Sequence, residues 1–129
     1  MNHNKIISTL VESIRASPMT GRYNVAAATL DHNNNIIAIS ENSYIKTHPS
    51  QLHFAALCGN MERQYLHAEI GALVKSSRKP SGIMVIRLNR SGNIRPAHPC
   101  PICMMAIKEA GIKTIYYSDS EGLMIKEVL

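Results

Sequence analysis

The chain has 129 residues, 45% of them hydrophobic, and 14 Lys and Arg against 9 Asp and Glu give it a formal charge of +5. That length suits a single domain, 1–129, around one core, and no apolar run is long enough to cross a bilayer, so neither a transmembrane span nor a membrane partner is expected. Three cysteines do not make a disulfide framework, and the N-terminus lacks the continuous apolar stretch of a signal peptide, which points to a reducing, cytoplasmic setting.

Residues 4 to 16 read as a first helix, with Ile6, Ile7, Leu10, Val11 and Ile14 at helical spacing. Ser17-Pro18 and Thr20-Gly21 break it. Tyr23 to Asp31 and Ile36 to Ser40 read as two strands joined by the turn cluster His32-Asn33-Asn34-Asn35, hence a hairpin. The run Val25-Ala26-Ala27-Ala28-Thr29 is small-residued, as on a tightly covered sheet. Residues 41–66 form a long connection in which Gln51 to Leu57 suggests a short helix. A second helix is predicted over Leu66 to Ser77, a third strand over Gly82 to Asn89, and a loop over Arg90 to His98. A third helix follows over 100–110, stopped by Gly111, and then a fourth strand over Ile112 to Ser118. Leu123 to Leu129 fits either a fifth strand or an edge helix. Strand three, the third helix and strand four make a βαβ unit, which requires parallel pairing. Met84, Met104, Met105 and Ile107 read as core filler, and Cys58 as a buried small hydrophobe.

Two short stretches carry chemistry. Cys100 and Cys103 lie three residues apart, with Pro99 before the first and Pro101 directly after it, so both fall on the first turn of the third helix and share a face. His67 opens the second helix, with Glu69 two residues on. Zinc takes imidazole nitrogen and thiolate sulfur, and a catalytic site keeps a fourth position for water. His67, Cys100 and Cys103 would supply three ligands, and helix N-termini favour thiolate over thiol. Glu69 is then placed as general acid and base rather than as a ligand. The competing reading is a closed, structural zinc clip in a binding module, with Cys58, His48, His53 or His98 as fourth ligand. The basic balance fits a phosphate-bearing ligand or nucleic acid, and equally plain solubility; Lys46, His48 and Arg63 are candidates for phosphate contact or simply solvated polar residues.

His67-Ala68-Glu69 with Pro99-Cys100-Pro101-Ile102-Cys103 resembles the cytidine deaminase superfamily, a signature of zinc-dependent nucleobase deaminases. The continuation Met104 to Tyr117 is most similar to the deoxycytidylate deaminase branch. The resemblance implies a three-layer α/β/α cytidine deaminase-like fold: a mixed sheet of about five strands with the two zinc-ligand helices side by side on one face. It implies zinc-dependent hydrolytic deamination of a cytosine nucleotide such as dCMP, with Zn2+ as cofactor and a small-molecule nucleotide as partner. A deaminase acting on a base in single-stranded DNA or tRNA, or on another free nucleobase or nucleoside, is the alternative within the class. That nucleic-acid reading should bring a basic, aromatic groove, yet aromatics are few. By resemblance, Ala68 through its backbone N–H and His98 through its carbonyl hold the pyrimidine edge and the leaving amine. Asn42 contacts the sugar, or serves only as a turn residue; Tyr117 stacks beside the base, or is one of two strand-end rings. Family members of this kind associate, so a homo-oligomer is implied.

Overall fold

A computed structural model describes residues 3–16, 23–43, 47–59 and 65–129 of the chain. Lys46 and Arg63, together with the breaks at 17–18 and 20–21, lie outside the described residues. The elements in order are α1 (His3–Ala16), β1 (Tyr23–Leu30), β2 (Ile36–Glu41), α2 (Pro49–Leu57), α3 (Ala68–Lys75), β3 (Gly82–Asn89), β4 (Ile94–Arg95), α4 (Pro101–Glu109), β5 (Thr114–Ser118) and β6 (Met124–Val128). One mixed sheet runs β2-β1-β3-β5-β6, with β4 paired to the outer half of β3. Hairpin β1–β2 is antiparallel, and β3 pairs with β5 in parallel from Gly82 with Thr114 to Val85 with Tyr117, as a βαβ unit demands.

Alternation along the strands divides the core in two. Ala26, Ala28, Leu30, Met84, Ile86 and Leu88 face α1, which inserts Ile6, Leu10 and Ile14. Ala27, Ile83, Val85 and Ile115 face the other way, onto Ala68 and Ala72 of α3 and Ile107 of α4. Outside that layer α2 lays Ala55 against Ile70, Ile102 and Ala106. The result is the expected three-layer α/β/α arrangement with α3 and α4 on one face of a mixed sheet. Met84 and Ile107 are fully buried, whereas Met104 and Met105 are only half-buried. Cys58 is half-buried too, packed on the cluster that α2 forms with α3 and α4.

Four details differ from the sequence reading or complete it. The loop expected over 90–98 contains the two-residue strand β4, registered Arg87 to Arg95 and Leu88 to Ile94. The C-terminal stretch is strand β6, antiparallel to β5 from Thr114 with Val128 to Ser118 with Met124. Helix α2 starts at Pro49, two residues earlier than expected, because the His48 ring accepts the Ser50 N–H at 3.0 Å and caps it. Helix α3 is shorter than Leu66 to Ser77 at both ends. The Leu66 carbonyl accepts the Ser43 N–H and the His67 N–H goes to Gln51 Oε1, so both residues stay extended. At the other end the Ser76 hydroxyl bonds the Ala72 carbonyl at 2.8 Å and draws the backbone out of the helix. Helix α4 stops where predicted: Gly111 (φ 80) takes the left-handed position, Gly111 N–H bonds Lys108 O and Ile112 N–H bonds Ile107 O.

Helix α3 lies close against β2 because residue 71 is glycine. A Cβ there would collide with Ser40 Oγ and stand 3.1 Å from Ser40 Cβ. Gly71→Leu is therefore expected to lower the unfolding free energy by about 1–3 kcal/mol by overpacking, although leucine is the better helix former. Urea titration at unchanged m-value would check it, and an unchanged midpoint would contradict the close packing.

Candidate functional site

Two helix starts converge. Cys100 is the N-cap of α4 (φ −69, ψ 167), and its side chain makes no capping bond. Pro101 fills the first helical position, where a missing N–H costs nothing. Cys103 is the third helical residue, so both sulfurs sit on the first turn. His67 is the N-cap of α3 (φ −80, ψ 153), again without a side-chain cap, and its carbonyl accepts the Gly71 N–H at 2.9 Å. Freed from capping, the His67 ring turns to α4. Its Nδ1 lies 3.3 Å from Cys103 Sγ and 3.5 Å from Cys100 Sγ. All three donor atoms fall within 4.8 Å of one another, the one such metal-capable group among the described residues.

The donor set fits zinc. Tetrahedral zinc, with Zn–N about 2.0 Å and Zn–S about 2.3 Å, separates a nitrogen ligand from a sulfur ligand by about 3.5 Å. The Nδ1 to Sγ spacings match that figure. The Cys100 thiol is drawn down to about 4, first because Cys103 donates its S–H to it, and the Cys103 thiol is pushed well up by the same bond and by burial. One sulfur is thus already anionic, and the second gives up its proton when a metal binds. Cys58, His48 and His53, the spare ligands of a closed clip, do not join the group, nor does His98.

Glu69, the second residue of α3, is 6% exposed. Burial pushes its carboxyl above the ordinary range, against the pull of a backbone bond and of His67. It lines a cavity of about 330 Å3 together with His67, Ala68, Cys100, Asn42 and His98, a size that suits a small ligand. The Asn42 carboxamide oxygen accepts the Val25 N–H at 2.8 Å, and the Asn42 N–H donates to Val25 O at 3.0 Å. Asn42 is therefore both a pinned strand-end residue and a cavity wall. Cys103 is fully buried behind the cavity.

Tyr117 stands outside the cavity wall. Its ring meets the His98 ring edge-on at 4.8 Å, and its hydroxyl donates to Glu127 Oε1 at 3.5 Å. The same carboxylate lies 3.5 Å from His98 Nε2. Tyr116 is the buried ring of the pair, on the α1 face. His48, a candidate for phosphate contact, has Nδ1 committed to capping α2.

Three residues of the site escaped the sequence reading. Arg87 and Tyr65 line the cavity, and a single charge inside the apolar run Ile83–Leu88 was the available signal for the first. Gln51, fully buried on α2, accepts the His67 N–H at 3.0 Å. That bond fixes the backbone from which the imidazole projects. Gln51→Leu is expected to weaken zinc affinity about 10-fold or more, as loss of groups that orient metal ligands does. Competition against a chelator of known affinity would measure it, and unaltered affinity would remove Gln51 from the site.

Residues 1–119 match the family described as the cytidine and deoxycytidylate deaminase zinc-binding region. No curated protein matches the chain. Among solved structures it is similar to the cytidine deaminase from Burkholderia pseudomallei, at 19% identity and a TM-score of 0.54, over 99% of this chain and 93% of that one. A mutant cytidine deaminase from Mycobacterium tuberculosis gives 16% identity and a TM-score of 0.54, over 92% and 85%. The cytidine deaminase from Mycobacterium leprae gives 17% and 0.50, over 93% and 92%. At these identities the likeness shows the shared fold. The family match spans most of the sequence, and its zinc-binding region carries the three converging donors, so the chain belongs to the cytidine and deoxycytidylate deaminase zinc-binding family and is by that membership a zinc-dependent deaminase, a hydrolase.

Proposed function

We propose that the protein deaminates a cytosine nucleotide, converting dCMP or a related deoxycytidine nucleotide to its uracil form with release of ammonia. The observation that supports this best is the convergence of His67, Cys100 and Cys103 beside a buried carboxyl, Glu69, at one wall of a small-ligand cavity. His67, Cys100 and Cys103 would hold zinc, which when bound supplies Lewis acidity that makes water nucleophilic near neutral pH. Glu69 takes a proton from that water and passes it to the ring nitrogen, then protonates the amine that leaves. The balance is one water consumed: its oxygen becomes the new carbonyl, the ring carbon–amine bond breaks, and its two protons end on the ring nitrogen and on ammonia. A buried carboxyl holds a proton more readily than an exposed one, which suits this shuttle.

The backbone N–H of Ala68 and the carbonyl of His98 are assigned to the pyrimidine edge and the leaving amine. Asn42 is assigned to the sugar, since its oxygen is held by Val25 while the residue faces the cavity. Tyr117, expected to stack beside the base, is not among the residues lining the cavity and is assigned instead the support of His98, against which its ring lies.

The test is an ammonia-release screen of the zinc-loaded protein across dCMP, dCTP, deoxycytidine, cytidine, adenosine, guanine and single-stranded DNA. Turnover of a deoxycytidine nucleotide above the rest is expected. Turnover of adenosine, guanine or DNA in preference would reassign the substrate, and turnover of none would overturn the reading.

A further inference from the structure

The β3–β4 hairpin sets two arginines opposite each other, the first of them in the cavity wall. Arg87 is registered with Arg95, and Leu88 with Ile94. Residues paired across a ladder send their side chains to the same face, with Cβ atoms about 5 Å apart. Leu88 and Ile94 enter the core under α1, so Arg87 and Arg95 take the face that carries α3 and α4. Arg87 is half-buried and lines the cavity; Arg95 is exposed and directly precedes Pro96, another cavity residue. Among the described residues Arg87 is the one Lys or Arg in the cavity wall.

Like charges directly opposite one another weaken a sheet. The fold nonetheless holds this pair firmly. Asn89 N–H bonds Asn93 O at 3.0 Å across the hairpin, and Ser118 Oγ donates to the Arg95 carbonyl at 2.9 Å. On its other side Arg87 is registered with Val25, whose N–H and carbonyl are both bonded by Asn42. Across this end of the sheet the order is therefore Asn42, Val25, Arg87, Arg95, of which the first three line the cavity and Arg95 flanks it.

We infer that Arg87 and Arg95 together bind the 5′-phosphate of the substrate, so that the cavity selects a nucleoside monophosphate over the free nucleoside. The inference rests on reading this cavity as the substrate site. A guanidinium fork matches a pair of phosphate oxygens, and two such forks match the two charges of a terminal phosphate. An internal phosphodiester carries one charge and must continue in both directions, so a free monophosphate fits better than a nucleic acid.

The test is equilibrium binding of dCMP, deoxycytidine and an oligodeoxycytidine to zinc-loaded Glu69→Gln protein, with ammonia release by the unmutated protein alongside. dCMP should bind about 10- to 100-fold tighter than deoxycytidine, the range expected for hydrogen bonds to a charged group. Arg95→Ala, at an exposed position, should cut that ratio about 10-fold, and Arg87→Gln at least as much. Arg78→Ala, which removes a guanidinium paired to Asp31, should leave the ratio where it was. Equal binding of dCMP and deoxycytidine, a ratio that survives both the Arg87 and the Arg95 variants, or tighter binding of the oligonucleotide would each overturn the inference. Tight dCMP binding with no ammonia released would leave the phosphate site standing and sink the deaminase reading. Equal ammonia release from nucleoside and nucleotide would do the reverse.

Discussion

Glu69→Gln is expected to lower the turnover of dCMP by about a thousandfold while the protein keeps one zinc per chain. General acid–base catalysis by a positioned group contributes roughly 10²- to 10⁴-fold, and Glu69, which meets Cys103 through its carboxyl, is not one of the three residues that form the metal group. Glutamine keeps the shape of a side chain that is 6% exposed, so packing around Ala68 and Ile70 is preserved. What it cannot do is accept and return a proton. Loss of metal together with activity would make Glu69 a ligand; near-normal turnover would take the proton shuttle away from it.

The same variant separates function from stability. In metal-free protein, burial raises the Glu69 carboxyl above its ordinary value of 4.5, and the Cys100 thiolate adds to the rise. A carboxyl whose folded-state value is raised imposes nothing at low pH, where it is protonated in both states. As pH climbs through the unfolded value, the unfolded chain releases the proton while the folded chain retains it, and stability falls. The loss is complete once the pH passes the folded value. Metal-stripped Glu69→Gln should therefore melt higher than metal-stripped parent at pH 7, and the two curves should meet below about pH 4. A variant less stable at both values would mean that the carboxylate is favourably held.

The parts of this site that were legible in the sequence are the ones with local causes. Cys100 and Cys103 share a face because three residues make nearly one helical turn, and Pro99-Cys100-Pro101 marks a helix start through the chemistry of proline alone. The parallel pairing of β3 with β5 followed from the helix between them. What stayed hidden depends on register between distant segments. Strand β4 has two residues and no period to detect; only its pairing with Arg87 and Leu88 defines it. Gln51 looks like an ordinary polar residue of a short helix until its carboxamide is seen against His67 N–H, sixteen residues on. Arg87 shows as a lone charge in an apolar strand, but its neighbours are Val25, from the first strand of the chain, and Arg95, from a two-residue strand too short to detect. The fold class was therefore readable, along with the metal donors; the rest of the cavity wall needed tertiary pairing.

Removing the metal is expected to lower the melting temperature by roughly 12–20 °C, and one equivalent of zinc should restore it. A ligand bound at a thousand times its dissociation constant stabilises by about 4 kcal/mol, and for a chain of this size each kcal/mol is worth roughly 3–5 °C. The physical origin lies in what the three donors join. His67 begins α3 and the two cysteines begin α4, so one ion ties together the two helices that cover this face of the sheet. Without it, an anionic Cys100 sulfur stays close to the buried Glu69 carboxyl. Cys103→Ser should abolish stoichiometric zinc, because a hydroxyl replaces one of the three donors and Cys58, the spare thiol packed on the same cluster, is not part of the donor group. Cys58→Ser should keep the zinc and the melting temperature within a few degrees, since Cys58 packs on the cluster without joining the donor group. If Cys58→Ser instead strips the metal, the site is a closed clip with four protein ligands, the corner needed for water is filled, and the hydrolytic reading of this cavity fails.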